Sequence, residues 1–240
     1  GGVTWPRGTL PFTIRYNGST GAIDEYTSDR TWYNGASFTL PTLDAEGAFV
    51  SVYSGIIEMR GIKNVKIDSL ALINVGVPGQ YGNGRGIIVQ SPENVEISNC
   101  LIRAHSNHGI VGGMNAGESA SKLYIHDNEL SHMGNHIEMG SPGGGASFTD
   151  LRIYRNRFHD PKTQLINGDH GDGIHIFVVD NSLAFRDVKI YSNQFYGDFS
   201  SGDGTSSNTA QIFIEDSIDG AEIFNNLHSF TSTYTCLLYT

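Results

Sequence analysis

Apolar and polar residues alternate in six short segments that share one pattern. They are NVKIDSLAL (64–72), NVEISNCLI (94–102), KLYIHDNEL (122–130), DLRIYRNRF (150–158), DVKIYSNQF (187–195) and GAEIFNNLH (220–228). Their common isoleucines are Ile67, Ile97, Ile125, Ile153, Ile190 and Ile223, 28 to 37 residues apart. A period of two is that of a half-buried strand and not of a helix. Asn128, Asn156, Asn193 and Asn226 each follow the shared isoleucine by three positions. Amides repeated at one turn can hydrogen-bond from coil to coil, and Asn tolerates a left-handed backbone.

A second set of strands precedes the first: IIEM, GIIV, GIVG, HIEM, GIHIF and AQIFI. Its inward pairs read Ile57/Met59, Ile87/Val89, Ile110/Gly112, Ile137/Met139, Ile174/Ile176 and Ile212/Ile214. Short strands that repeat while the loops between them vary are what stacked coils produce. The pattern predicts an all-β solenoid of about six coils, with parallel strands and columns of like residues in its core. Residues 1–50 fit less well and read as irregular opening coils of the same single domain, with 51–240 as regular coils.

The 240 residues carry 38% hydrophobic and 17% charged side chains, enough apolar material for a core and too little charge for a disordered tail. The formal net charge of −10, with Lys and Arg scattered, argues against a nucleic-acid partner. No apolar run approaches the roughly 18–20 residues that span a bilayer. Cys100 and Cys236 match no CxxC pattern and read as structural thiols. Asn17-Gly18-Ser19 has the form of a glycosylation sequon, a match that chance readily gives in a turn-rich segment.

The opening GGVTWPRGTLPF is similar to the Gly-Gly, apolar, Pro-x-Gly strand that begins many polygalacturonases and phage tailspikes. With the repeats, the chain resembles the right-handed parallel β-helix proteins of the pectin-lyase-like superfamily over nearly its whole length. The resemblance implies a single-stranded right-handed parallel β-helix of about six to eight coils. It also implies a polysaccharide partner and a place outside the cell or on a virion surface. HGDGIHI (170–176) resembles the Asn-Thr-Asp-Gly strand of family 28 glycoside hydrolases, and SNHGIVGG (106–113) their Gly-His-Gly-Ile motif, in reversed order along the chain. The helix that caps the first coil in such proteins has no counterpart, and TCLLYT reads as the start of another coil. Both ends therefore read as open, a fragment of a longer chain is expected, and open ends invite self-association.

The repeat register gathers candidate chemistry. Outward positions on the second strand set run Glu58, Ile88, Val111, Glu138, His175 and Phe213, and the turn before them runs Arg85, His108, Asn135 and Asp172. Coils stack about 4.8 Å apart, so Glu138 and His175 are expected as neighbours, with His136 on the same face. His136, Glu138, Asp172 and His175 are the expected catalytic groups, because His and carboxylates are the usual acids and bases at neutral pH. Arg85, His108, Asp169 and His170 are expected to bind substrate around them. Gly86, Gly109, Gly113, Gly140 and Gly173 read as a floor with little side-chain bulk, or simply as turn residues. Asp169, His170, Asp172 and His175 also make Ca²⁺ a candidate ligand, although no standard metal loop is matched.

Tyr154, Tyr191 and Phe224 form a second outward stripe beside Arg152 and Lys189. It suits sugar stacking, with Tyr154 and Tyr191 as binding residues, or a plain stabilising ladder. Two functions follow as expectations: a polysaccharide lyase or glycoside hydrolase, or a non-catalytic surface or tailspike-type solenoid that binds glycans or only spans distance.

Overall fold

The computed structural model describes residues 3–19, 21–29, 31, 37–47, 55–76, 84–105, 107–161, 171–180, 183–197, 199, 210–215, 218–229 and 236–239. Asp169 and His170 lie outside these residues. Among the described residues the strands form three parallel eight-stranded sheets, A, B and C, to each of which every coil gives a short strand. Through the middle of the molecule the path is Leu101–His105 (A), His108–Gly113 (B), Ser119–His126 (C), then Glu129–Ser131 (A) of the next coil. The chain is a parallel β-helix. Among the described residues no helix is long and apolar enough to cross a membrane.

The columns foreseen from alternation are present. In sheet B, Ile57, Ile87, Ile110, Ile137, Ile174 and Ile212 pair in register and are buried. In sheet C the same holds for Ile67, Ile97, Ile125, Ile153 and Ile190. β-branched side chains suit this position, stiff at χ1 and packed on like neighbours above and below. Sheet A closes the third side with Leu72, Ile102, Leu130, Phe158 and Phe195, and the two phenylalanine rings stack at 4.8 Å. Its strands there are only three to five residues long.

Residues before 48 also join the sheets. Thr4–Trp5, Phe12–Ile14, Asp24–Thr27 and Thr42–Asp44 pair in register with later coils, as strands of two to four residues. Large exposed apolar side chains gather on this stretch, among them Trp5, Phe12, Tyr16 and Ile23.

Between sheets C and A, the asparagines form a continuous ladder. The Asn156 amide donates to Asn193 Oδ1 and to the Ile125 carbonyl, while its own oxygen accepts the amide and the backbone N–H of Asn128. The pattern repeats from Asn128 to Asn226. At the early end Asn128 Oδ1 accepts the backbone N–H of Cys100, which holds the equivalent position. Cys100 is a free, buried thiol, and burial pushes its pKa up to about 12. The left-handed residue of this turn is not the ladder asparagine but the one before it: Asn99, Asp127, Arg155, Ser192 and Asn225 all have φ near 55°. Bending the chain there leaves each amide pointing along the axis.

Candidate functional site

The site lies where sheet A turns into sheet B. Arg85, His108, Asn135 and Asp172 stack at this corner, followed by Ala210. Glu138 faces outward from the strand Ile137–Ser141 and pairs with His175 on the next coil, as the register requires. Its Oε2 accepts hydrogen bonds from Asn135 Nδ2 at 2.7 Å and His108 Nε2 at 2.9 Å, and lies 4.0 Å from His175 Nδ1. The same His175 nitrogen lies 3.8 Å from Asp172 Oδ2, and His175 Nε2 is 3.6 Å from Glu215. The His175 ring stacks on Phe213 at 4.8 Å and leans on Phe177 at 5.1 Å.

The two carboxyls are driven apart in proton affinity. Burial pushes Glu138 up, but the charge and hydrogen bond of His108, with the Asn135 amide, outweigh it and hold the pKa at about 2. Asp172 is fully buried, and that burial, reinforced by the negative charges of Glu138 and Glu215, raises it to about 8 against the Ala210 N–H it accepts. At neutral pH one group is a carboxylate and the other holds its proton. Environments that separate two carboxyls in this way are a mark of acid–base sites.

His136 is not on the outer face with Glu138. It is fully buried, its ring between Phe158 and Phe199, with Nδ1 3.2 Å from the Asp172 carbonyl and Nε2 3.1 Å from the His159 carbonyl. Burial lowers its pKa to about 4. The strand begins only at Ile137, so the alternation that placed His136 outward does not reach it; the corner turns its side chain into the core. The corner also turns Gly109 and Gly173 inward. A Cβ at Gly109 would lie 2.5 Å from Met133 Sδ, and one at Gly173 2.7 Å from Phe195 Cε1. These two glycines are packing positions and not a groove floor.

Gly113 and Gly140 do line an open cleft of about 310 Å³ next to Glu138, at the low end for small-ligand sites. A Cβ at Gly140 would overlap the Phe177 ring, so glycine lets that ring lie across the sheet. Arg60 and Arg85 are the cleft's cations, and Val111, Met114, Pro142 and Val179 its apolar walls. Phe177, Arg60 and Pro142 were absent from the sequence reading. Phe177 follows His175 by two positions, on the same outward parity, and could have been found from that spacing.

Tyr154 and Tyr191 are elsewhere. They face outward from sheet C in a stack His126–Tyr154–Tyr191–Phe224, with centroids 4.6, 4.9 and 5.0 Å apart. Tyr154 and Tyr191 each have a ring against both faces, as in a ladder that supports the sheet. Among the described residues no group of three or more His, Cys, Asp or Glu side chains suits a metal ion. The fold and site define a parallel β-helix protein with a partly buried cluster of carboxyl and imidazole side chains beside an open cleft. Comparison with family models, curated proteins and solved structures returns no match to this chain.

Proposed function

We propose that the protein is a secreted or surface-exposed polysaccharide-cleaving enzyme of the pectin-lyase-like kind, acting by elimination at the Glu138 cleft. The observation that carries this reading is the cluster Glu138–His175–Asp172, with opposed protonation states, at the edge of a cleft that also holds Arg60 and Arg85. Arg60 and Arg85 neutralise the carboxylate of a uronate, which acidifies the proton on the adjoining carbon. Glu138, the member of the cluster that lines the cleft, takes that proton and passes it to His175, whose Nδ1 lies 4.0 Å from its Oε2. The carbon–oxygen bond to the neighbouring sugar breaks, and the leaving oxygen is protonated from solvent. Phe177 offers an apolar face to the sugar ring. Hydrolysis by Glu138 and Asp172 as an acid–base pair is disfavoured, because Asp172 is fully buried and its Oδ1 is bound to the Ala210 N–H.

A non-catalytic glycan-binding solenoid is the second reading. It is favoured by the shielding of both His175 ring nitrogens from solvent and by the backbone bonds that hold Asp172 and His136. The test is incubation with polygalacturonate, alginate, hyaluronan and xylan, read by reducing-end release and by ultraviolet absorbance of unsaturated uronate. Elimination gives both signals. Reducing ends without absorbance mean hydrolysis, and binding without product leaves the second reading standing.

A further inference from the structure

The outer wall of the cleft carries a carboxylate, that of Asp180. Pro142-Gly143-Gly144-Gly145 follows the Glu138 strand, which ends at Ser141, and Val179-Asp180 follows the His175 strand one coil on. Pro142 and Val179 both line the cleft. The Val179 N–H donates to the Ser141 carbonyl at 2.9 Å, and the Gly144 N–H donates to Asp180 Oδ2 at 2.7 Å. Asp180 sits so close to Gly143 that a Cβ there would overlap its carboxyl group. Gly143, Gly144 and Gly145 have φ of 79°, 60° and 82°, a run of left-handed backbone that few other residues sustain. On the opposite side a Cβ at Gly144 would lie 3.1 Å from Ala116 Cβ of the preceding coil. The loop is thus wedged between Ala116 and Asp180, with no regular ladder of its own.

We infer that Asp180 is a positioning residue for the cleft: by holding the Gly144 N–H and pressing against Gly143 it fixes Pro142 as the wall that a bound sugar meets. The inference rests on the Glu138 cleft being the substrate site. A glycine run gains little order from local propensity; the Gly143 N–H donates to Ser141 Oγ and the Ala146 N–H to the Gly143 carbonyl, and Asp180 adds the charge-assisted bond that ties the run to the next coil. Asp180 touches no reacting group. Its loss therefore weakens substrate binding and leaves the bond-breaking step alone.

The experiment compares the full chain with Asp180→Ala and Asp180→Asn. Amide hydrogen exchange is followed at residues 143–146, and KM and kcat are measured on whichever of polygalacturonate, alginate, hyaluronan and xylan the parent cleaves. Asp180→Ala is expected to speed exchange at Gly144 about tenfold or more and to raise KM by a similar factor with kcat unchanged, since a hydrogen bond to a charged group is of that order. Asp180→Asn keeps an oxygen for the Gly144 N–H and should restore most of both. Unchanged exchange in Asp180→Ala overturns the proposal, whatever the activity. Faster exchange with an unchanged KM, or a fall in kcat at constant KM, overturns it too. If the parent cleaves none of the four, the elimination reading fails, and exchange alone decides whether Asp180 holds the wall.

Discussion

Two corners of the same coil solve the same problem in different ways. Between sheets C and A, one residue type recurs and each asparagine amide answers the next. Between sheets A and B the equivalent place changes at every step, through Arg85, His108, Asn135 and Asp172. Both corners bridge coils with side-chain oxygens, but in opposite directions. Asn156 Oδ1 accepts the N–H of Asn128 on the earlier coil, whereas Asn135 Oδ1 accepts the N–H of Asp172 on the later one and Asp172 Oδ1 that of Ala210. The repeating corner uses all its hydrogen-bonding capacity on the scaffold. The varied corner has some left for Glu138 and His175. In a solenoid, departure from the repeat at a fixed position marks where a site can be.

The comparison breaks first on activity. Glu138→Gln should lower the rate on a cleaved polysaccharide about 10²–10⁴-fold, the usual contribution of such a group, and should lower the melting temperature as well, because it gives up the charge that His108 and Asn135 stabilise. A variant as active as the parent would strip the varied corner of its chemical role. Next comes the repeating corner. Asn156→Ala leaves buried groups on Asn128, Asn193 and Ile125 without partners, and should cost about 3–5 kcal/mol in denaturant unfolding. A loss below about 1 kcal/mol would mean the ladder is incidental.

A pH series separates the two carboxyls. Folded Asp172 keeps its proton up to about pH 8, while the unfolded chain releases it near 3.8. Between those values the folded state binds more protons, so stability falls as pH rises, by up to about 1.4 kcal/mol per pH unit. Glu138 acts in the opposite sense: stability present above 4.5 is lost as pH falls toward about 2. Asp172→Asn, whose amide oxygen can still accept the Ala210 N–H, should flatten the fall between 3.8 and about 8 and keep the acid one. Melting temperature from pH 3 to 9 measures both. The smallest effect belongs to sheet C. Tyr191→Ala removes two ring contacts and should cost about 1–2 kcal/mol without altering KM, which would exclude the outer aromatic stack from substrate binding.

Sheets B and C were legible in the sequence because their strands, mostly five to eight residues long, carry two inward positions per coil. Sheet A was not, because strands such as Glu129–Ser131 and Arg157–His159 carry one inward residue each, Leu130 and Phe158, and one residue has no period. The pairing of Glu138 with His175 followed from register alone. His136 was misplaced by carrying strand alternation one residue past the strand's first pairing, where the backbone turns. Arg60 holds the outward place two positions after Glu58 that Gly113, Gly140 and Phe177 hold in later coils, and the same spacing could have found it; Pro142 lies past the end of its strand, in no repeated motif.

The asparagine ladder has no preferred length, and this bears on how such a molecule can grow. A tandem copy of residues 129–156 would offer the ladder another identical rung and lengthen the solenoid by about 4.8 Å. The same copy would place a second Asn135 and Glu138 between the first pair and His175. One corner accepts a new coil anywhere, while the other is read across neighbours and is cut by it. A coil added anywhere between Arg60 and Val179, which line one cleft, would therefore divide the site, while the ladder alone sets no such limit.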